Sequence, residues 1–170
     1  MTSGGTVSDE RPASAVTFVE NHDIVRQAPI VNDKIMAYAW ILTHDGYPCI
    51  FWYDYFNLGL ARGENSNGIV ALINVHEHYA FGNTKLLYTD DNLYIMQREG
   101  IDDKQGLVFV LNNNGEVWQG KEVTTKWSNK KFTPLAWNGK NDNSIPDDKT
   151  TDDNGYSDFW APPRGYAVYV

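Results

Sequence analysis

The chain holds a single cysteine, Cys49, in 170 residues, so no internal disulfide can form. Cys49 stands in an apolar run, where core packing is expected. Basic residues are scarce, with 14 Lys and Arg against 22 Asp and Glu and a net charge of −8. Such a chain repels phosphate backbones and anionic lipid, so neither nucleic acid nor a membrane surface is expected as a partner. No apolar run is long enough to span a bilayer. The start, Met1-Thr2-Ser3-Gly4-Gly5-Thr6, has neither a basic n-region nor an apolar h-region, and no signal peptide is expected in it. Charged residues make up only 21% against 42% hydrophobic, which excludes disorder throughout and allows a packed core.

Aromatics are plentiful at 14%, with six Trp and ten Tyr. Flat rings that stack on sugar faces account for this, and so does an ordinary β-rich core. A neutral carbohydrate ligand is compatible with the acidic charge.

Residues 1–10 read as a polar tail. Ala15-Val16-Thr17-Phe18-Val19 fits a strand buried on both faces, as in a parallel sheet, and polar Glu20-Asn21-His22-Asp23 follows at once. A helix is predicted over Asp33–His44, with Asn32 as N-cap and Gly46 as the C′ residue. Ile35, Met36, Ala39, Trp40 and Leu42 recur at helical spacing. Cys49-Ile50-Phe51-Trp52 reads as a second buried strand, which completes a βαβ unit. Tyr53-Asp54-Tyr55-Phe56-Asn57 forms an aromatic loop. Ile69 to Tyr79 is predicted as a helix capped by Ser66 or Asn67.

Past about Phe81 the pattern turns β. Leu93–Arg98, Leu107–Asn112, Val123–Trp127, Phe132–Trp137 and Tyr166–Val170 are strand candidates. Asn114-Gly115 signals a hairpin onto Val117-Trp118. The expected fold class is α/β plus all-β. A partial (β/α) barrel segment over 11–82 is followed by an antiparallel, Greek-key-like β-sandwich over 83–170.

Ligands of parallel β/α architectures meet the C-terminal ends of strands, where Glu20-Asn21-His22-Asp23 would sit. The same residue types also make ordinary turns, so the cluster by itself supports either reading. The segment Ala15–Asp23 resembles the strand-seven signature of the α-amylase superfamily, usually Phe-Val-Asp-Asn-His-Asp. Ala37-Tyr38-Ala39 to Leu42, then Gly46-Tyr47-Pro48-Cys49-Ile50-Phe51, resembles that family's seventh helix and eighth strand. Ile69–Tyr79 resembles its eighth helix, and the β-rich remainder resembles its C-terminal domain. The order and spacing agree over about residues 11 to 170. Glu20 in place of the usual Asp, and Phe51-Trp52-Tyr53-Asp54 in place of Phe-Tyr-Gly-Asp, are departures.

The resemblance implies a retaining hydrolase of α-1,4-glucosidic bonds in starch-type glucans. Asp23 would be the third acidic residue, favouring the oxocarbenium-like transition state. His22 and Asn21 would contact the sugar, and so would Tyr53 and Asp54 at the strand-eight end. The implied partner is an α-glucan or oligosaccharide. The nucleophile and acid/base of such enzymes, roughly 5 Å apart, lie on strands four and five, and nothing in this chain resembles those segments. The chain therefore reads as a truncated relative carrying only the stabilising Asp. A Glu20–Asp23 pair is conceivable, though the groups that grip the sugar are missing. No cofactor is evident. Calcium belongs to the full-length family, but its main ligands lie in barrel regions absent here. The compartment stays open, secretion of a parent enzyme included.

The acidic stretch Asp142–Asp158 invites a calcium reading. Set on the EF-hand loop, however, Gly155 at position 6 puts Thr150 at position 1 and Ala161 at position 12, so a solvated surface loop is expected. His76 and His78 lack metal spacing. His44, at a helix C-terminus, is expected to complement the dipole. Trp118, Trp127, Trp137 and Trp160 are expected mostly in the core, though one exposed pair would make a starch-binding surface. Two barrel strands alone would leave unpaired edges and apolar faces, so a homo-oligomer through those strands is expected. A non-catalytic carbohydrate-binding or assembly module is the alternative function.

Overall fold

The structure, a computed structural model, describes residues 10–62 and 67–170. The polar tail before residue 10 and the cap candidate Ser66 lie outside the described residues.

Strand β1 (Val16–Phe18) pairs in parallel with β2 (Tyr47–Cys49), Val16 opposite Tyr47 and Phe18 opposite Cys49. Between them run a short helix α1 (Ile24–Gln27) and the longer α2 (Lys34–Thr43). Helix α3 (Ile69–Tyr79) follows a π-helical turn over Tyr53–Asn57. The predicted strand–helix–strand order is present. Among the described residues, no barrel closes around it.

The remainder is antiparallel. Strands β3 (Thr84–Thr89), β4 (Leu93–Arg98), β5 (Leu107–Asn112), β6 (Gln119–Thr124), β7 (Lys131–Phe132), β8 (Pro134–Asn138), β9 (Lys149–Thr150), β10 (Tyr156–Ala161) and β11 (Gly165–Tyr169) form three sheets. The main sheet has the order β3-β4-β5-β11-β8, so the last strand of the chain is an interior one. The pairs β6–β10 and β7–β9 make the other two sheets.

Alternation along β5 and β11 organises the packing. Leu107, Phe109 and Leu111, with Tyr166 and Val168, face Tyr38, Ala39, Leu42, Leu72 and Val75 of the two longer helices. Val108, Val110, Ala167 and Tyr169 face the opposite way, onto Val123, Phe132, Phe159 and Ala161. A sheet covered on both sides needs apolar residues at every position, which is why β5 reads Leu-Val-Phe-Val-Leu rather than apolar-polar. Each such buried side chain contributes about 1.5–3 kcal/mol.

Several expectations are corrected. Val16, Phe18 and Tyr47 are 62%, 45% and 66% exposed. Of the first run only Ala15, Val19 and in part Thr17 turn inward, because nothing among the described residues covers its other face. Strand β2 ends at Cys49 rather than starting there, and Cys49 is exposed, not core. The α2 N-cap is Asp33, in left-handed backbone at φ 56°, not Asn32. Gly68, not Asn67, precedes α3. Gly46 lies two residues past the α2 cap at φ 127°. A Cβ there would sit 3.0 Å from the Ala15 carbonyl oxygen, so glycine permits the turn to press against β1.

Asn114-Gly115 does turn the chain, with the Asn114 side-chain oxygen accepting from the Glu116 and Val117 amides. The hairpin is overturned, however: β5 and β6 enter different sheets, and β6 pairs with β10. Asn112 stabilises this crossing, its Nδ2 donating to the carbonyls of Val117, Ala161 and Pro162. Strands β3, β9 and β10 escaped the sequence reading. The Phe132–Trp137 candidate is divided at Thr133, which exchanges backbone hydrogen bonds with Val170.

His44 does not complement the α2 dipole. Burial, and then the nearby Arg98 charge, hold its pKa down to about 4, so the ring is neutral. It stacks on Trp40 with ring centres 3.9 Å apart, while Nδ1 lies 2.9 Å from the Trp40 carbonyl oxygen and Nε2 3.0 Å from the Tyr94 hydroxyl. These partners fit a proton on Nδ1 and a hydroxyl donating to Nε2. Arg98 of β4 takes the dipole role instead, donating to the Thr43 carbonyl at 3.2 Å and pairing with Asp45 at 3.0 Å.

Candidate functional site

The end of β1 and the start of the π-turn after β2 are held together by one buried ionic cluster. The Lys34 ammonium, in the first turn of α2, lies 2.5 Å from Glu20 Oε2 and 2.8 Å from Asp54 Oδ1. Both carboxylate side chains are fully enclosed. Tyr38, one turn along α2, donates its hydroxyl to Asp54 Oδ2 at 2.7 Å and accepts from the Phe51 amide at 3.3 Å. The Ile30 amide donates to Glu20 Oε1. Burial opposes the Lys34 charge, but the hydrogen bonds from Asp54 and Glu20 outweigh it and raise its pKa. Burial, and then the bond to Asp54, push the Tyr38 hydroxyl well above its ordinary range. Lys34, Tyr38 and Glu20 are functional-site residues that the sequence did not reveal as a unit. The only signal was a lysine at a helix start flanked by carboxylates 14 and 20 residues away.

Above this clamp the chain emerges as Asn21-His22-Asp23. Asn21 Oδ1 accepts from the amides of Asp23 at 3.0 Å and Ile24 at 2.9 Å, turning the chain into α1. His22 and Asp23 are free to solvent, with side chains 74% and 68% exposed. His22 Nε2 lies 3.5 Å from Asp23 Oδ1. An exposed carboxylate on a fixed turn can accept hydroxyl donors and stabilise positive charge. An adjacent imidazole adds a donor or acceptor.

The site residues expected from sequence divide accordingly. Asn21, His22 and Asp23 fall together at the strand tip. Tyr53 is exposed, but it lines a different hollow. Asp54 has no exposed surface and both oxygens engaged, so direct sugar contact gives way to a positioning role. The conceivable Glu20–Asp23 pair is excluded by the same enclosure: Glu20 is locked onto Lys34 and cannot exchange protons with a ligand beside Asp23. The hollow that Tyr53 lines has a volume of about 530 Å3 and is bordered also by Lys34, Leu60, Lys140 and Arg164. Asn21, His22 and Asp23 lie outside it.

Elsewhere, His76 and His78 place Nδ1 3.1 Å and 3.0 Å from backbone carbonyls. Four carboxylates of 142–158 have local partners: Asp148 with Lys131, Asp158 with Lys149, Asp153 with Asn129, and Asp152 with backbone amides. Among the described residues, no group of three or more His, Cys, Asp or Glu is placed to hold a metal ion. Trp127 packs on Phe132 beside the inner core, whereas Trp160 is exposed and borders a hollow together with Trp118.

Comparison with known proteins matches residues 107–170 to the family model described as Alpha-amylase C-terminal. An α-amylase of Geobacillus stearothermophilus is 27% identical over 176 residues, which cover 97% of this chain and 31% of that protein. The chain is similar to the C-terminal portion of α-amylase-superfamily proteins. The α-amylase type B isozyme of Hordeum vulgare is 34% identical over 93 residues, covering 52% of the chain and 60% of the relative. Among solved structures, the γ-CGTase of alkalophilic Bacillus clarkii superposes with a TM-score of 0.65 at 18% identity, covering 94% of this chain and 26% of that one. An α-amylase from Malbranchea cinnamomea superposes at 0.63, again with 18% identity, over 93% of this chain and 37% of its own. At that identity the superpositions speak for the fold. The chain spans about a third of the Geobacillus α-amylase and 60% of the Hordeum one.

Proposed function

We propose that this chain serves the hydrolysis of α-1,4-glucosidic bonds in starch-type glucans and contributes the transition-state-stabilising carboxylate, Asp23, of a retaining site. In this reading β1 and β2 are strands seven and eight of a (β/α) barrel, and residues 83–170 form the β-sandwich domain. The observation that carries it is the placement of Asn21-His22-Asp23. The three residues leave the C-terminal end of a strand paired in parallel with the next one, and the ionic clamp fixes the turn beneath an exposed carboxylate. His22 contacts the same sugar, Tyr53 offers an aromatic face in the separate hollow it lines, and Asp54 positions the loop through Lys34 and Tyr38. Double displacement needs two further carboxyl groups about 5 Å apart, which no segment of this sequence resembles. The contribution of Asp23 is therefore electrostatic.

The test is a nuclear magnetic resonance titration with maltoheptaose, beside an assay of reducing-sugar release from soluble starch. The His22 and Asp23 amide signals are expected to shift in the wild type and not in Asp23→Asn. Unmoved strand-tip amides, or starch turnover that survives Asp23→Asn, would defeat this reading.

A second reading, an assembly module, is favoured by the bare face of β1–β2. Val16, Phe18 and Tyr47 form an apolar strip beside unpaired strand edges, the pattern that invites strand pairing with another copy. Light scattering at working concentration tests it. A compact, strictly monomeric species counts against self-association.

A further inference from the structure

The hollow of about 530 Å3 between the α1–α2 connection and the sheet is basic, although the chain as a whole is acidic. Lys34, Arg62, Lys140 and Arg164 border it, against a single bordering carboxylate, Asp33. Two of these cations are committed. Lys34 lies between Glu20 and Asp54. Arg164 pairs through Nε with Asp33, and its Nη1 donates to Asn113. Arg62 and Lys140 pair with no carboxylate among the described residues, and Arg164 Nη2 bonds to none of those residues.

Asn138 adds a neutral donor. It is only 8% exposed and borders the same hollow, yet its side-chain amide bonds to no other described residue. Buried amides in folded proteins are hydrogen-bonded, so its partner comes from within the hollow, as water or as ligand. The backbone is strained here as well. Arg62, Arg164 and Asp33 hold left-handed conformations at φ 43°, 47° and 56°. Three of the five non-glycine residues so placed, among those described, thus border one hollow, and such conformations gather at ligand sites. On the helical side Ile30, Val31 and Leu58 present exposed apolar surface to it.

We propose that this hollow binds a small organic phosphate monoester, its phosphate on Arg62, Lys140, Arg164 and Asn138 and its apolar body on Ile30, Val31 and Leu58.

The charge decides the ligand class. A phosphate monoester carries close to two negative charges at neutral pH and three acceptor oxygens, which match two cations without carboxylate partners, a guanidinium edge and an amide. The volume suits a small molecule rather than a chain segment. Elsewhere the acidic surface repels anions, so the ligand is favoured at this one place. The bound molecule would touch the α1–α2 connection, the residues after β8 and the turn before β11 together, and so would stabilise the fold. Asn21, His22 and Asp23 lie outside the hollow, so the proposal does not rest on the function given above.

The test is a nuclear magnetic resonance titration of the full chain with hexyl phosphate, beside a thermal unfolding series. Saturable shifts are expected at the Gly139, Lys140 and Arg164 amides, with a midpoint that rises with ligand concentration and a response that weakens as salt is added. Lys140→Glu is expected to abolish the response, and Arg62→Ala to weaken it about fivefold or more, the effect of losing one charged contact. Both side chains are exposed, and circular dichroism checks that the variants fold. Hexanol, hexanoate and inorganic phosphate are each expected to bind at least about fivefold more weakly than hexyl phosphate. Unmoved amides in the wild type, or shifts that persist in folded Lys140→Glu, overturn the proposal. An equal response to hexanol overturns the anionic character of the site, an equal response to hexanoate the phosphate assignment, and an equal response to inorganic phosphate the role of the apolar wall. The ligand series reads the proposal even where a variant fails to fold.

Discussion

Asp33 and Arg164, 131 positions apart in sequence, form an ion pair with Arg164 Nε 2.8 Å from Asp33 Oδ2. Both residues occupy left-handed backbone, at φ 56° and 47°. The pair fastens the N-cap of α2 to the turn between β10 and β11, and Arg164 Nη1 also donates to the Asn113 carbonyl and side-chain oxygens. A double-mutant cycle of Asp33→Asn and Arg164→Ala, measured by urea unfolding, is expected to return a coupling of about 0.5–1 kcal/mol, the range for a partly exposed pair. A coupling of zero would mean that the helical segment and the sheet do not depend on this contact.

Among the described residues, Lys34 is the single cation between two enclosed carboxylates. Lys34→Met leaves Glu20 and Asp54 buried with only the Ile30 amide and the Tyr38 hydroxyl as donors and no counter-charge. It is expected to destabilise the fold by about 3–5 kcal/mol, the usual consequence of removing one member of a buried ionic group. Denaturant midpoints of the variant and the wild type decide it. A midpoint shift equivalent to less than 1 kcal/mol would argue that the cluster is hydrated in solution.

His44 sets an acid limit. Its folded pKa of about 4 lies below the ordinary 6.5, so between these values the unfolded chain binds a proton that the folded one refuses. Its stabilising contribution is complete above pH 6.5 and is lost as pH falls to about 4. The loss amounts to about 3 kcal/mol, at 1.36 kcal/mol per pKa unit. Stability measured at pH 7 and pH 4.5 should fall more in the wild type than in His44→Phe. Parallel pH profiles would show that His44 titrates normally.

Asp23 is expected to matter little for folding. Its side chain is 68% exposed, so Asp23→Asn is expected to change stability by no more than about 0.5 kcal/mol. A thermal midpoint lowered by many degrees would instead give Asp23 a structural role.

Phe18 belongs to the bare strip on β1–β2. Phe18→Lys places a charge on the strand edge and is expected to lower the average mass in light scattering of any self-associated species, with little effect on the monomer. An unchanged mass distribution would exclude that strip as the contact.

Much of the molecule was legible in the residues. The period of Ile35, Met36, Ala39 and Leu42 announced α2, and the unbroken apolar run of β5 announced a strand covered on both faces. The Asn21-His22-Asp23 motif marked the strand tip. Other features were not legible because they depend on pairs distant in sequence. Strand β10 reads as Tyr-Ser-Asp-Phe-Trp-Ala, a weak pattern that becomes a strand only when β6 is beside it. The Asn114-Gly115 turn predicts a reversal but not which sheet the chain enters. His44 resembles a helix-end cation until Trp40, Tyr94 and Arg98 surround it.

The sequence alone determined the local elements, the exclusion of disulfides and of a strongly basic surface, and the likeness of residues 15–23 to a sugar-handling strand end. These follow from periodicity, composition and order, which are properties of neighbours along the chain. Tertiary structure decided that Glu20, Lys34, Tyr38 and Asp54 form one clamp, that β11 lies inside its sheet, and that Arg62, Lys140 and Arg164 border one hollow. Each of these arises where segments far apart in the chain exclude the same water, and no local pattern specifies which segments those will be.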